Sequence, residues 1–549
     1  MCMWWRNVFF IAVVVAAGAG IRASLTPQAT QTRRIDLSPA PVADDWHATV
    51  RAVDAAFRRL WDENGLSPAL PAPDLTIARR LSLALTGTIP SLEEIRQFEA
   101  APRESRLEGW TEHLLRDRRH AEYFAERLAR VTVGTEDGPL LVYRKRRFKA
   151  WLADELHRNT SYGEIVRRMI AERGLNTDRP AVNFVAATYD DDRGGPDAEK
   201  LATRLARAFL GLRLDCAQCH DYYDHANPHF DAAGNEVPAW EQTQFQALAA
   251  FFGQTRQVLT TVLDGEGVYR YEDRVNGGTH EIDPAVPFLP ELLPELGTRR
   301  ERLAAWVTHR QNKYFARATV NRIWAMMFGR PLLKRLEATT REEPTPPPLD
   351  ILASDFADHG YDLRRLIRII AATEVFRLDS ATPEPGAEAH EELFAVFPLT
   401  RLRPEQVIGA VIQAASVRTI DHRSNVLVRA VRFFQERDFV QRYGDADDDD
   451  FARDTVTIPQ QLLMMNGELV DSRAREELLN ACTQIALFAP DDRAAVEAVY
   501  LSVLTRRPTP PEADHFLAKL SGTTGADRNR VLADLFWVLF NSLEMAHNH

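Results

Sequence analysis

The sequence predicts a mainly α, multi-helical protein of two domains with a small β insert between the halves. Three observations carry that prediction. Apolar residues recur at spacings of three and four along most of the chain, and strand-like alternation is confined to one stretch, Val258 to Arg274. The 549 residues are also 45% hydrophobic and 26% charged, enough to bury a sizeable core. With 27 Gly, 31 Pro and four Cys, the chain is neither low-complexity nor a disulfide-stapled miniprotein.

The elements follow in order. An apolar run from Val8 to Ala19 is too short to cross a bilayer of about 30 Å as a helix. With Arg6 before it and Ala17-Gly18-Ala19 as a small-residue cleavage site, residues 1–23 are expected to be a secretory signal or, uncleaved, a membrane anchor. Export to the periplasm or the cell exterior follows, with membrane contact only through that segment. Residues 24–44, rich in Thr, Gln, Pro and Ala, read as a linker. A helical domain is expected over 45–255. Trp46, Val50, Val53, Phe57, Leu60 and Trp61 mark one helical face there, and Leu107, Trp110 and Leu114 another. A β-containing connection is expected over 256–295, where Val258-Leu-Thr-Thr-Val-Leu leads through Gly265 and Gly267 into Val-Tyr-Arg-Tyr. Residues 296–549 read as a second helical domain, broken by Pro-rich stretches at 344–348 and 383–385.

The chain echoes itself once. Arg80 to Phe98 and Tyr500 to Phe516 each read as a helix, a Thr-containing turn and a second helix opened by a capping box, Ser91 with Glu94 and Thr509 with Glu512. Pro510 at the first helical position strengthens the second copy. We expect two structural helix hairpins, one near each end of the fold.

Charge excludes one class of partner. Lys and Arg total 67 against 78 Asp and Glu, a net charge of -11, a poor footprint for nucleic acid, whose counterion release needs a basic face. Lys is scarce, and the predominance of Arg reads as coding bias rather than selection for anion contacts. The basic run Arg144 to Lys149 reads as a solvated helix face. The acidic runs Asp445 to Asp450 and Asp190 to Asp192 read as loops without the spaced Gly and terminal Glu of a calcium hand. Nucleophile-elbow, phosphate-loop and dinucleotide fingerprints are absent from the sequence.

One short motif carries specific chemistry: Cys216-Ala-Gln-Cys219-His220. C-x-x-C-H is the attachment pattern of c-type haem, in which two thiols add to the vinyl groups and the adjacent imidazole ligates iron. Two thiols and an imidazole at short spacing also suit zinc or iron without haem, with His225 or His229 among the further ligands. A local disulfide between Cys216 and Cys219 is the third reading, since export places both in an oxidising compartment. A distal haem ligand is not identified; Met326, Met327, Met464 and Met465 sit in apolar helical contexts, where Met is core filler.

At this motif the chain resembles the planctomycete cytochrome-c-like domain, an exported C-x-x-C-H-containing domain of unknown function. The matching segments are Pro180-Ala-Val-Asn-Phe184, Ala208 through Asp221, Trp240-Glu-Gln-Thr-Gln-Phe245 and Leu248-Ala-Ala-Phe-Phe252. Later segments resemble its usual C-terminal companion domain of unknown function: Phe315-Ala-Arg-Ala-Thr-Val-Asn-Arg-Ile-Trp324, Arg401-Leu-Arg-Pro-Glu405 and Ile458-Pro-Gln-Gln-Leu462. The resemblance implies haem c on Cys216 and Cys219 with His220 as proximal ligand. It implies no reaction, and leaves electron transfer or a haem-dependent oxidation, with a redox partner protein or an extracellular polymer as partner. The chain departs from the family where His-Pro-Phe ordinarily follows closely. Here Asp221 is followed by Tyr222-Tyr-Asp-His225, the next His-Phe is His229-Phe230, and Trp240 is delayed by an insertion, so His225 and His229 compete for the second-histidine place.

Overall fold

The computed structural model describes residues 34–39, 45–135, 142–224, 228–230, 236–274, 277–333, 335–337, 344–381, 387–421, 424, 438–440, 442–443, 457–474 and 480–549. The leader at 1–23, the acidic run 445–450 and His225 lie outside them.

The fold is mainly α, with a few small sheets. The first long helix, Trp46–Glu63, buries Trp46, Val50, Val53, Phe57 and Trp61, the face its periodicity predicts. Each such side chain contributes about 1.5–3 kcal/mol of burial energy. The β connection consists of two hairpins: Thr255–Val258 pairs with Thr261–Asp264, and Tyr269–Glu272 with Thr279–Ile282, both antiparallel. Gly174–Leu175 adds a third strand to the first hairpin. No helix among the described residues is long and apolar enough to cross a membrane.

Two cores organise the packing. The larger draws on residues from Trp46 to Phe397 and therefore runs through both sides of the β connection. The smaller is built from Leu402 to Met545 together with Leu83, Ile89, Leu92 and Ile95 from near the start of the chain. The helices Asp74–Thr86 and Leu92–Ala100 thus stand between the two.

This corrects the expected placement of the echoed hairpins. Both capping boxes form, at Ser91 with Glu94 and at Thr509 with Glu512. The hairpins are not at opposite ends, however: Leu92–Ala100 packs against Asp492–Leu504, and Arg507 reaches Glu99 at 2.5 Å. The reason is the adjoining seam. Arg79 donates to the Val503 carbonyl at 3.0 Å, and Arg80 to the carbonyls of Phe376, Leu378 and His549 at 3.2, 2.6 and 2.7 Å. Arg80 also lies over the Phe397 ring at 3.7 Å. Burial pulls the two guanidiniums down to about 10 and about 9, so both stay charged at neutral pH.

Two further expectations are refined. Within the predicted linker, 34–39 is seated on the helix Arg106–Arg116: the Leu37 carbonyl approaches Gly109 so closely that a Cβ there would lie 1.9 Å from its oxygen. Ile35 N also donates to Gln97 Oε1 at 2.8 Å. The acidic Asp190 segment is a turn, in which Asp190 Oδ1 accepts from the backbone of Asp192 and Arg193 at 2.9 and 3.2 Å, closing the strands Tyr189–Asp190 and Gly195–Pro196. The basic run opens the helix Lys145–His157, burying Phe148 while Lys149 pairs with Glu126.

Candidate functional site

The helix Ala198–Leu205 leads the chain to the C-x-x-C-H motif. Asp197 caps it, accepting from Glu199 N and Lys200 N at 2.9 and 3.1 Å. The helix widens into a π turn over Ala206–Leu210 and ends at Gly211, whose φ of +64° favours glycine. Buried Leu212 and Leu214 then anchor a 3₁₀ turn, Asp215–Gln218, capped by Cys219. In a 3₁₀ turn, residues three apart eclipse. Asp215 and Gln218 therefore share one face, Ala217 points into the core, and Cys219 closes the turn three residues after Cys216.

Cys216 is exposed and Cys219 half-buried, and both are free thiols. Arg274 donates to Cys219 Sγ at 3.3 Å. The exposed His220 places Nδ1 at 2.7 Å from the Asp221 carbonyl. Only a protonated Nδ1 can donate to that oxygen, so the neutral ring keeps its lone pair on Nε2.

The turn is braced by polar groups that the sequence analysis passed over. Gln242 and Gln246 both donate to the Gln218 carbonyl at 3.2 Å, and Gln218 and Gln246 each donate to Glu199 at 3.0 Å. Tyr269 completes the set, its hydroxyl donating to Gln246 Oε1 at 2.8 Å. Burial, with Glu199 and Asp197 nearby, pushes the Tyr269 phenol well up, so it remains a donor. The only sequence signal was the run Glu241-Gln-Thr-Gln-Phe-Gln246, whose polar positions at i and i+4 share a helix face.

Gln242 and Gln246 lie on the helix Gln242–Ala249, whose first N–H, Gln242 N, donates to Asp221 Oδ1 at 2.8 Å. Tyr222 then pairs with the buried Trp240 through N–H···O bonds of 2.8 and 3.3 Å. The chain between them therefore leaves and rejoins the fold at one point, where Trp240 is buried. His229 lies in that excursion, its backbone paired with Val237; its side chain and His225 are outside what is described. Among the described residues no group of three or more His, Cys, Asp or Glu side chains is arranged to hold a metal ion. Met327 is fully buried core, Met464 is buried, and Met465 is 40% exposed.

The donor set is of the kind a covalently attached haem takes: two free thiols, one exposed and one half-buried, beside an imidazole whose Nε2 is available. The Asp215–Gln218 face adjoins something different, a cavity of about 300 Å³ that both residues help to line.

Residues 52–257 match the family model PSCyt2, a protein of unknown function (DUF1549), and residues 299–520 match PSD1, a protein of unknown function (DUF1553). The chain carries both domains, in the expected order. The C-x-x-C-H motif lies in the PSCyt2 domain, whereas the adjoining cavity also takes Arg322 and Met326 from the PSD1 domain. None of the curated proteins and none of the solved structures compared matches the chain.

Proposed function

We propose that Cys216 and Cys219 hold a covalently attached haem c, with His220 as proximal ligand, in an exported c-type-cytochrome-like protein that transfers electrons or carries out a haem-dependent oxidation. The observation that carries this reading is that Cys216, exposed, and Cys219, half-buried, are free thiols on either side of one short turn, next to an imidazole with its Nε2 lone pair available. Bound haem supplies one-electron redox chemistry at its iron. The chain's own part is positional. The 3₁₀ turn sets the spacing of the thiols, the Asp221 carbonyl fixes the His220 tautomer, and the glutamine brace holds the turn's last carbonyl. A redox partner protein or an extracellular polymer would meet the protein at this turn.

A second reading takes the same two thiols, three residues apart, as a Cys216–Cys219 disulfide in a binding or scaffold protein. The third, a non-haem zinc or iron enzyme acting on extracellular polymers, would need His225 or His229 to complete the ligand set.

One experiment separates them. The protein is purified from a host with c-type maturation machinery, stained for haem after denaturing electrophoresis, and assayed for metals. We expect a haem stain that Cys216→Ala abolishes. Colourless protein with stoichiometric zinc or iron would replace this reading with the metalloenzyme, and metal-free protein with an intact Cys216–Cys219 bridge would replace it with the scaffold.

A further inference from the structure

The cavity beside the C-x-x-C-H turn draws its wall from stretches far apart in sequence. Arg127 and Arg130 come from the helix Arg118–Val133, Lys200 and Arg204 from Ala198–Leu205, Arg207 from the π turn, and Arg322 from Lys313–Phe328. Among the described lining residues these six cations face two carboxylates, Asp215 and Glu337. The chain as a whole is acidic, at -11, so this local excess runs against its average.

The arrangement is built rather than incidental. Lys200, Arg204 and Arg207 stand at i, i+4 and i+7 and so share one helical face, a spacing at which like charges repel. Carboxylates hold the neighbouring guanidiniums in place: Glu405 meets Arg127 at 3.0 Å, Glu126 meets Arg130 at 3.6 Å, and Glu337 meets Arg207 at 2.9 Å. Burial would raise the Glu405 carboxyl, but Arg127, Arg403 and Arg130 outweigh it and hold it at about 2, so the Arg127 pair is ionised. Arg322 is 5% exposed and is oriented by the carbonyls of Ala208 and Arg207, at 2.5 and 3.2 Å. Met326 and Leu336 add apolar wall between the charges. A volume of about 300 Å³ is the lower end of small-molecule sites, with room for a compact body.

We propose that this cavity binds a small organic polyanion, a compact molecule bearing two or more carboxylate, phosphate or sulfate groups. Guanidiniums fixed by their own carboxylates suit bidentate oxyanion contacts. Lys200, at the rim, adds an adaptable point charge. The proposal does not depend on haem at Cys216 and Cys219, although Asp215 and Gln218 place the two sites on one turn.

The test is calorimetric titration of the purified full-length protein with citrate and with pyrophosphate, at fixed ionic strength, with acetate as the monovalent control. We expect saturable binding of at least one polyanion and none of acetate. Citrate alone would assign a polycarboxylate ligand and pyrophosphate alone a phosphorylated or sulfated one. The double variant Lys200→Gln with Arg204→Gln should weaken binding about tenfold or more, while Lys519→Gln, an exposed cation elsewhere, should leave it unchanged. Each single variant is titrated as well, so that binding can still be read if the double variant misfolds. Repeating the titration with Cys216→Ala separates this result from haem attachment. Absence of saturable heat with either polyanion, or undiminished binding in the folded variants, would overturn the proposal, leaving the cavity's charge balanced within the chain.

Discussion

Two arginine-rich regions of this molecule use the same side chain in opposite ways. At the seam between the two cores, Arg79 and Arg80 point inward and end on backbone carbonyls, and Arg506 is clasped between Glu512 and Glu544. At the cavity, six cations from distant segments converge on open space that two lining carboxylates share. In the first arrangement, Arg79 and Arg80 join segments hundreds of residues apart through backbone carbonyls, while Arg506 is matched by carboxylates nearer in sequence. The second gathers charge around a cavity, with carboxylates such as Glu405, Glu126 and Glu337 holding part of it in place.

Substitutions should separate the two regions by size of effect. The largest is expected from Arg80→Ala, which strands the buried carbonyls of Phe376 and Leu378, frees that of His549 and removes the cation over Phe397. A loss of about 3–5 kcal/mol, read as a lower urea midpoint, is expected; a loss under about 1 kcal/mol would mean that water replaces the guanidinium at no cost.

Arg506→Ala should cost less, about 1–2 kcal/mol, because the clasp is partly solvent-screened. Its signature is in pH. Hydrogen bonds from Arg506 hold the Glu512 carboxyl at about 2, and outweigh burial in doing the same for Glu544, against an ordinary value of 4.5. The stabilisation is therefore fully present above about pH 4.5 and lost as pH falls from there towards 2. Unfolding curves across that window should be flatter in the variant than in the parent. Parallel curves would show that the clasp does not set the acid response.

The smallest stability effect is expected at the cavity. Lys200→Gln and Arg204→Gln should shift stability by no more than about 0.5 kcal/mol, or raise it by relieving like-charge repulsion. A loss of several kcal/mol on thermal unfolding would move these residues into the structural class of Arg80.

The sequence made some of this legible and hid the rest for physical reasons. The helical faces and both capping boxes are local, set by side chains three or four residues apart, and Trp46 to Trp61 or Ser91 with Glu94 could be read directly. The spacing of Cys216, Cys219 and His220 is equally local, while what they hold stands as a proposal. What joins the echoed hairpins is not, since Arg507 and Glu99 meet across 408 residues. The reading of Arg as coding bias failed to anticipate the seam for the same reason: composition does not say where a guanidinium ends. The cavity was hidden because its cations come from separate stretches, although Lys200, Arg204 and Arg207 carried the helical spacing in plain view.

The bond from Arg80 to the carbonyl of His549 bears on the order of assembly. A ribosome releases residue 80 long before residue 549, and the helix Asp74–Thr86 cannot complete its contacts until the second of these has emerged. During synthesis Arg79 and Arg80 lack the acceptors that the distant C-terminal residues later supply. Closure of the seam therefore waits for Val503 and His549, and a nascent chain stalled before Val503 would never reach it.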